Sequence, residues 1–307
     1  MTSLVSGSTG LIGAAVVRAL AARGDRVLVA ARNVEKAQRM FAGVGDVEVV
    51  EWDVTRPAEI EGEVDFVVHA ASETASKAFV ERPDEVRRII VEGTRNALSL
   101  AAEKKAKAMV FLSTMEVYGV PDKDPVTETD FGFLDPDSVR SSYPLAKLEA
   151  ERLCRESGLP VSIARLTQTF GPGVVRGDKR VFAQFAESVL EGRDVVMHTE
   201  GRTCRCYCYI DDAVSAILTL LEKGAPGEAY NVANPATYCS IREMAAALCA
   251  AHPPSKVVVD LAGAAGMGYA PEFKMRLSTA KLEALGWEPR VGLAEAYERM
   301  IASWRTS

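Results

Sequence analysis

Short apolar runs alternate with longer segments whose apolar residues recur at helical spacing along the first half of the chain. Uninterrupted apolar runs of this length are typical of strands buried on both faces of a parallel sheet. Their alternation with helices predicts an α/β fold built around a doubly wound parallel sheet. The predicted strands lie at 3–5, 25–31, 47–52, 64–71, 108–112 and 161–166, and the predicted helices at 11–22, 85–105 and 143–156.

A glycine-rich turn joins the first strand to the first helix. Gly7 permits a tight turn, Gly10 lets the backbone approach a pyrophosphate, and Gly13 lets the helix pack closely on the sheet. The helix start supplies free N–H groups and the positive end of the helix dipole. An ordinary glycine-rich turn is the alternative. The pattern predicts an NAD(P) site formed by Gly7, Ser8, Thr9, Gly10, Leu11, Ile12 and Gly13.

The ends of the following strands predict further cofactor contacts. The second strand ends in Ala31-Arg32, where NAD-binding proteins of this architecture often carry an acidic residue on the ribose hydroxyls. Arg32 is interpreted as a partner of a 2′-phosphate or of adenine, or else as a solvated loop arginine. NAD versus NADP therefore stays open, with a lean to NADP. The other predicted contacts are Asp53, Val54, Ala70, Ala71 and Ser113, and His69 is interpreted as a packing residue.

Tyr143 and Lys147 are four residues apart and share one face of the predicted helix. A tyrosine has a pKa of about 10, and lowering it by about three units takes about 4 kcal/mol. One positive charge at about 5 Å contributes roughly 3 kcal/mol at an effective dielectric constant of about 20. Lys147 and an oxidised nicotinamide ring together account for that shift. We therefore expect Tyr143 to take a proton from a substrate alcohol, with Thr114 hydrogen-bonded to the same oxygen.

Composition narrows the class of protein. The 307 residues are 48% hydrophobic and 25% charged, and a formal net charge of −6 argues against nucleic acid as the main partner. Neither a membrane-length apolar run nor a signal-peptide pattern is found, so a soluble cytoplasmic protein without membrane association is expected. Cys204, Cys206 and Cys208 alternate without flanking ligands at zinc spacing. They are interpreted as small buried residues, and no metal is predicted.

Taken together, these residues resemble the extended short-chain dehydrogenase/reductase family, in its NAD-dependent epimerase/dehydratase branch. The similarity extends over nearly the whole chain and is closest to the nucleotide-sugar epimerases of that branch. The residues that carry it are Gly7, Gly10, Gly13, Asp53-Val54, His69-Ala70-Ala71, 91–96, Thr114, Val117-Tyr118-Gly119, Tyr143, Lys147, Gly171-Pro172-Gly173, Arg205, Tyr209-Ile210-Asp211-Asp212, Tyr230-Asn231-Val232 and 285–289.

The resemblance implies a Rossmann-type doubly wound parallel sheet with a smaller α/β substrate-binding domain. We expect the NAD(P)-binding Rossmann domain at residues 1–170, rejoined by about 203–233, and the substrate-binding domain at 171–202 and 234–307. In this family, helices equivalent to 85–105 and 143–156 pair across a four-helix interface. A homodimer is therefore expected, unless both helices simply cover the sheet.

The resemblance also implies the substrate and the catalytic residues. A nucleotide-diphosphate sugar is expected, with Arg205 on its diphosphate and Arg276 as a second contact. Gln168 stands where family members usually have an asparagine, and is expected in the substrate site. The catalytic trio implied by the resemblance is Thr114, Tyr143 and Lys147.

The loop after Thr114 departs from the pattern of the sugar-nucleotide 4,6-dehydratases, which carry Asp-Glu there. Met115 cannot supply the proton that the aspartate gives for loss of water, so 4,6-dehydration is not expected. Glu116 remains, as in the Thr-Ser-Glu loop of UDP-glucuronate decarboxylases, and is a candidate catalytic residue or a solvated loop acid. We expect an isomerase or lyase that oxidises sugar C4 transiently, as a 4-epimerase or a decarboxylase.

Two other functions are consistent with the sequence. Arg32 favours an NADP-dependent reductase of a sugar or of a small carbonyl compound, with net consumption of NADPH. A non-catalytic protein that senses NADP is the second alternative. Such a sensor has no need of Thr114, Tyr143 and Lys147, and their presence favours an enzyme.

Overall fold

The computed structural model describes residues 1–264 and 272–306. No helix in those two ranges is long and apolar enough to cross a membrane. The strands are β1 (Thr2–Ser6), β2 (Arg26–Ala31), β3 (Val47–Glu51), β4 (Phe66–His69), β5 (Ala108–Thr114), β6 (Val161–Leu166), β7 (Gln168–Phe170), β8 (Val195–Met197), β9 (Cys204–Tyr209), β10 (Ala229–Val232), β11 (Asn234–Ser240), β12 (Val257–Val259) and β13 (Lys274–Met275). The helices are α1 (Leu11–Ala22), α2 (Val34–Met40), α3 (Ser76–Glu81), α4 (Pro83–Glu103), α5 (Ser142–Glu156), α6 (Val181–Leu190), α7 (Ile210–Lys223), α8 (Ile241–Ala251), α9 (Ala280–Glu283) and α10 (Leu293–Arg305), with 3₁₀ turns at Met115–Tyr118, Val139–Ser141 and Leu261–Ala264.

A seven-stranded sheet in the order β3-β2-β1-β4-β5-β6-β10 forms the centre of the described fold. All of its neighbouring strands run parallel. The six strands predicted from the sequence lie in this sheet, and the doubly wound α/β fold is confirmed. The strand order reverses at β1, whose Ser6 pairs with His69 at the end of β4. Open α/β sheets bind ligands at such a switch point, outside the carboxyl ends of the strands.

Helices cover both faces of the sheet because each presents an apolar stripe to it. On one face α1 packs beside α7, and Val17 and Ile217 are fully buried there. On the other face α4 packs along α5, where Ile90 and Ala150 are fully buried. The longest helix, α4, begins at Pro83, a residue suited to the first helical position because its missing N–H would have had no partner there.

A smaller sheet lies beside the main one and contains β11, β9 and β13, with β7 also paired to β9. It shares an apolar cluster with α6, α8 and α10. Within the expected return segment, 203–233, β9 pairs in this smaller sheet, whereas α7 packs on the main sheet. The strand of the segment that joins the main sheet is therefore β10, beside β6. The division of the chain into two domains stays a prediction.

The turn between β1 and α1 is held by backbone contacts that only glycine permits. Gly7 has φ +69°, and a Cβ there would lie 2.5 Å from the carbonyl carbon of Ala70. A Cβ on Gly13 would lie 2.2 Å from the Gly7 carbonyl oxygen. The turn thus presses against the end of β4, and α1 presses against the turn. These contacts hold the start of α1 at the switch point of the sheet.

Candidate active site

The turn at the switch point leaves one face of Gly10 open. Gly10 is the N-cap of α1, which has no side-chain cap and no acidic residue in its first turn. A Cβ on Gly10 would meet only the Gly7 carbonyl oxygen among the described atoms, at 3.3 Å. The N–H groups and the positive end of the helix dipole therefore face outward without a competing carboxylate. This arrangement fits the pyrophosphate of a dinucleotide.

The remaining side chains of the turn differ in how available they are. Ser8 is buried, and its hydroxyl donates a hydrogen bond to the Ala30 carbonyl at 2.9 Å. Its side chain thereby ties the turn to β2, and only its backbone is left for a ligand. Thr9, Leu11 and Ile12 remain partly exposed. Contact of these residues with a cofactor stays a prediction.

The ends of β2 and β3 bring Arg32 and Asp53 into electrostatic range of each other. Arg32 is exposed directly after β2. Asp53 accepts hydrogen bonds from the backbone N–H and the hydroxyl of Thr55, at 3.0 and 2.9 Å. Burial acts to raise the pKa of Asp53, but these hydrogen bonds and the charges of Arg32 and Arg56 hold it below its ordinary value. Val54 is buried, and its carbonyl accepts from the Asn96 side chain at 2.8 Å.

The end of β4 is lined by a neutral histidine. His69 is 1% exposed, and its Nδ1 lies 2.7 Å from the Ser6 hydroxyl. Burial, with a smaller contribution from the charge of Lys147, lowers the pKa of His69 to about 3. The ring therefore packs in the sheet as an uncharged group. Ala70 and Ala71 follow it and are partly exposed, so small apolar side chains stand beside the glycine turn.

Tyr143 is the second residue of α5. Its ring stacks on Phe79 of α3 at a centroid distance of 4.3 Å and an interplanar angle of 3°. Burial raises the pKa of its phenol, the nearby charge of Glu116 raises it further, and a side-chain hydrogen bond with Thr114 acts in the opposite direction. The structure thus brings the side chains of Tyr143 and Thr114 together. The phenol is not activated by the side chains around it, and its role as a base requires a further positive charge.

Lys147 is 2% exposed and lies one helical turn beyond Tyr143. Its Nζ donates to the Leu112 carbonyl at 2.6 Å and lies 5.9 Å from the centroid of the Tyr143 ring. Burial lowers the pKa of Lys147 to about 7, against the charges of Glu151 and Cys154, which raise it. The lysine expected to supply a fixed positive charge is thus poised near its own titration point.

The 3₁₀ turn after β5 sends two neighbouring side chains in opposite directions. Met115 is 4% exposed in an apolar cluster, and the Thr167 hydroxyl lies 3.2 Å from its sulfur. Glu116 faces the cleft, with 37% of its side chain exposed and its carboxylate 3.8 Å from Arg140. Surrounding protein raises the pKa of Glu116, while the charges of Arg140 and Arg205 lower it. An acid with a raised pKa beside two arginines is suited to holding and releasing a proton.

Two of the three predicted substrate residues come together. The Arg205 guanidinium donates to the Gln168 side-chain oxygen at 3.2 Å and lies over the Phe273 ring. Its Nε is buried and has no hydrogen-bond partner among the described residues, so a donor is left for a ligand. Arg276 is instead exposed, and its Nε lies 2.8 Å from the Asp124 carboxylate. Binding of a diphosphate at Arg276 would have to displace Asp124.

Three side chains of the site were not predicted from the sequence. Arg140 faces Glu116 from the 3₁₀ turn before α5, and Phe79 carries the Tyr143 ring. Glu151 lies beneath the site, where it accepts a hydrogen bond from Ser113 at 2.6 Å. Ser113 therefore points its hydroxyl into the protein. The interval of four residues between Lys147 and Glu151 was the sequence signal that could have located this acid.

A metal centre is not formed by the alternating cysteines. Cys206 and Cys208 are fully buried in different apolar clusters, and all six cysteines are free. Over residues 1–264 and 272–306, no group of three His, Cys, Asp or Glu side chains is placed to hold a metal ion. Burial raises the pKa of the Cys206 thiol to about 11, which favours the neutral form over a metal-binding thiolate.

A glycine turn at the switch point, with Thr114 on β5 and Tyr143 and Lys147 on α5, is an arrangement typical of dinucleotide-dependent enzymes. Comparison with known proteins gives the family. The model of the NAD dependent epimerase/dehydratase family matches residues 3–233. The chain therefore belongs to this family, as its resemblance implied, and its members are enzymes.

Relatives of known function match along almost the whole chain. UDP-glucuronic acid decarboxylase 3 of Arabidopsis thaliana is 32% identical over 315 residues, covering 99% of this chain and 89% of that protein. The structure of UDP-glucose 4-epimerase from Thermotoga maritima with UDP-glucose has a TM-score of 0.83 at 25% identity, and covers 100% of this chain and 99% of the epimerase. DesIV, a dTDP-glucose 4,6-dehydratase from Streptomyces venezuelae with NAD and TYD bound, has a TM-score of 0.81 at 25% identity and covers 100% of this chain and 98% of DesIV.

Substitutions at two glycines of the turn should separate binding from folding. Gly10→Ala should lower cofactor affinity by about tenfold or more with little change in stability, because its Cβ faces the open side of the turn. Gly13→Ala should lower the free energy of unfolding by about 1–3 kcal/mol, because its Cβ overlaps the Gly7 backbone. Gly292→Ala is the matched control, at a helix N-cap with nothing within 4 Å. Calorimetry with NAD and NADP, and urea unfolding, measure both effects; equal losses of affinity in all three variants would contradict the assignment.

Lys147→Met should change how stability depends on pH. Lys147 binds its proton with a pKa of about 7 in the folded chain, against an ordinary lysine pKa of 10.5. Between those values the unfolded chain holds more protons, so wild-type stability rises with pH by up to about 1.4 kcal/mol per unit from this group. Lys147→Met lacks that rise, and its stability relative to wild type should fall over the same range. Urea unfolding across the window measures this, with Lys77→Met, whose side chain is 81% exposed, as control; parallel wild-type and Lys147→Met profiles would contradict it.

Proposed function

We propose that this protein decarboxylates a UDP-glucuronic-acid-type nucleotide sugar by transient oxidation at C4. The observation that carries this proposal is Glu116, which faces the cleft next to Tyr143 with Arg140 and Arg205 on its flanks. Paired arginines suit a substrate that carries a carboxylate as well as a diphosphate. The Arabidopsis relative supports the same choice, since it is a UDP-glucuronic acid decarboxylase by name and aligns over 99% of this chain.

The acid–base chemistry at C4 falls to residues of β5 and α5. A nicotinamide cofactor, when bound, accepts and returns the hydride of C4. Tyr143 accepts the proton of the C4 hydroxyl, and Thr114 hydrogen-bonds the same oxygen. Lys147 stabilises the phenolate only while it is protonated, and its pKa of about 7 means that this charge is lost as pH rises above neutrality. The base is therefore most effective when the lysine keeps its proton.

Glu116 and Arg205 act on the part of the sugar next to C4. A carbonyl at C4 stands β to the carboxylate carbon of glucuronic acid, and a carboxylate in that position leaves as carbon dioxide. The electron pair left behind must take a proton at C5. Glu116, whose pKa is raised by its surroundings, is suited to give it. The free Nε–H of Arg205 is placed to hold an anionic group of the substrate.

The cofactor is NAD(P), and Arg32 favours NADP. Its guanidinium is exposed directly after β2, where it is free to meet a 2′-phosphate. Asp53 lies in electrostatic range of it, which limits that preference because a carboxylate repels a second anion. The proposal for this chain is therefore a site that takes either cofactor, with NADP bound more tightly through Arg32.

A 4-epimerase is the second candidate, on the strength of the likeness to the Thermotoga enzyme. It would use the same Thr114, Tyr143 and Lys147 but would need no acid at position 116. A 4,6-dehydratase is disfavoured because Met115 is buried and carries no proton to give. An NADP-dependent reductase differs from all three in consuming NADPH in net amounts.

We also propose that two copies of the chain pair through α4 and α5. These helices lie side by side, and a groove between them is lined by Pro83, Leu145 and the ion pair of Arg87 with Glu149, at 2.8 Å. A mixed apolar and charged surface of this kind suits an isologous contact, in which the same patch serves both subunits. The alternative is that both helices only cover the sheet.

The reaction is tested by incubating the protein with UDP-glucuronic acid, UDP-glucose or UDP-galactose, with NAD or NADP, and reading products by mass spectrometry and NMR. We expect loss of carbon dioxide from UDP-glucuronic acid without net consumption of cofactor. Tyr143→Phe should lower kcat by about 100-fold or more, because the proton acceptor is lost. Tyr297→Phe is the control, since that buried hydroxyl has no hydrogen-bond partner within residues 1–264 and 272–306. Net oxidation of NADPH would favour the reductase, and no effect of Tyr143→Phe on any turnover would rule out the catalytic assignment.

The dimer is tested by sedimentation velocity at micromolar concentration. The wild-type chain should sediment at twice its chain mass. Leu145→Glu should shift it to the monomer, because two carboxylates would be brought together at the two-fold contact. Val175→Glu, at a site 70% exposed in a loop, is the control. A wild-type monomer, or a dimer untouched by Leu145→Glu, would contradict this interface.

A further inference from the structure

Glu151 is a fully buried carboxylate that the reaction chemistry does not use directly. It lies on α5 one turn beyond Lys147 and is 0% exposed. Its Oε1 accepts from the Ser113 hydroxyl at 2.6 Å and from Arg165 Nε at 2.9 Å. Its Oε2 accepts from Arg165 Nη2 at 2.7 Å and from Arg155 Nη2 at 2.8 Å. A buried carboxylate with four such donors is a built feature of the interior.

Arg165 on β6 is the counter-ion and is itself 0% exposed. Its fork meets both oxygens of Glu151, and its Nη1 donates to the Tyr118 hydroxyl at 3.1 Å and to the Glu128 carbonyl at 2.7 Å. Burial acts to raise the pKa of Glu151, but the hydrogen bonds and charge of Arg165, with Ser113 and Arg155, hold it below its usual value. The carboxylate is therefore ionised inside the protein.

The same carboxylate is tied to the catalytic end of β5. Ser113, which donates to it, is followed directly by Thr114. Leu112, one residue earlier, gives its carbonyl to Lys147 Nζ at 2.6 Å. Two consecutive residues of β5 are thus fastened to α5, one through Lys147 and one through Glu151. The distance between the strand that carries Thr114 and the helix that carries Tyr143 depends on both bonds.

The groups that face Lys147 differ in charge. His69 from β4 is neutral, because burial lowers its pKa to about 3. Cys154 from α5 is neutral, because burial raises its pKa to about 12. Tyr143 from α5 is neutral because burial raises its pKa as well. Among these neighbours Glu151 is the ionised one, with Arg155, Arg165 and the neutral Tyr118 on its far side.

We propose that Glu151 is a positioning residue for the reaction: its carboxylate, fixed by Arg165, aligns the Ser113–Thr114 strand end with α5 and supplies a negative charge that favours the protonated form of Lys147. The second role deepens the proposed function and rests on it for its catalytic meaning. It implies that a buried partner on the same helix opposes the effect of burial on the charge of Lys147. If Glu151 were only a structural counter-ion for Arg165, its loss would leave the protonation of Lys147 unchanged.

Glu151→Gln removes the charge and keeps the shape. Full-length protein labelled with carbon-13 at lysine Cε gives the protonation of Lys147 directly, with its signal assigned by its loss in Lys147→Arg. Wild-type Lys147 should titrate at about 7, and in Glu151→Gln its pKa should fall by about one unit or more, a tenfold change in the proton equilibrium. Glu149→Gln is the control and should leave the pKa of Lys147 unchanged. Glu149 lies on the same helix as Glu151, but its carboxylate pairs with Arg87 of α4.

A second variant keeps the test usable if Glu151→Gln destabilises the fold, since that substitution leaves the buried charge of Arg165 without its carboxylate partner. Glu151→Gln/Arg165→Met removes both charges, a replacement that buried ion pairs often tolerate. The lowered pKa of Lys147 should persist in this variant. A Lys147 pKa that matches wild type in either variant would overturn the proposal.

The catalytic part of the proposal is measured separately from the Lys147 titration, through the pH dependence of kcat. If the proposed reaction is right, the kcat of Glu151→Gln should fall off at a lower pH than that of wild type, by the same shift as the Lys147 signal. A shifted Lys147 signal in a protein that turns over no nucleotide sugar would leave the electrostatic assignment standing and remove the proposed function. A shifted signal with an unshifted kcat profile would overturn the positioning role.

Discussion

The arrangement of the site depends on one ion pair inside the protein. Glu151 and Arg165 are both out of contact with solvent, and the two oxygens of the carboxylate meet the two nitrogens of the guanidinium fork. Breaking such a pair by removal of one member costs about 3–5 kcal/mol, because the remaining charge is left buried. The pair joins α5 to β6, and its further bonds reach Ser113 of β5 and the Tyr118–Asn231 contact at the edge of the sheet. The elements that carry Thr114, Tyr143 and Lys147 are therefore linked to one another beneath these side chains.

The glycine turn supplies the complementary constraint at the other side of the crevice. Gly7 lies against the backbone at Ala70, and Gly13 lies against Gly7, so the start of α1 cannot move away from the end of β4. A site whose parts sit on rigid elements holds its geometry better than one built on loops. Here the cofactor side is fixed by backbone contacts and the chemical side by a buried charge pair. The two constraints meet at β4, which lies between β1 and β5 in the sheet.

The sequence predicted the parts of this site that depend on local spacing. A strand, three glycines and a helix specify the turn, and an interval of four residues places Tyr143 and Lys147 on one face. The interior polar contacts were not predictable in the same way. Glu151 stands in a run of charged residues that reads as a solvated helix face, and Arg165 stands in an apolar strand without any local sign of its partner. The segment 203–233 was predicted to rejoin the first domain, but the pairing of β9 in the smaller sheet depends on long-range partners in β7, β11 and β13. The sequence also placed Ser8 and Ser113 near strand ends, but it did not predict the direction of their hydroxyl groups.

The direction of side chains in the 3₁₀ turn after β5 decides which chemistry the cleft permits. Met115 and Tyr118, three residues apart, stack on the inner side of this turn, because a 3₁₀ turn brings such residues into line. Glu116 is consequently sent to the outer side, towards Arg140 and Tyr143. An acid placed at position 115 in this backbone would be buried beside Thr167 among apolar groups, which carries a desolvation cost. The position of the acid, one residue later, is therefore a consequence of packing beneath the turn, which buries Met115 and leaves Glu116 on the outer side.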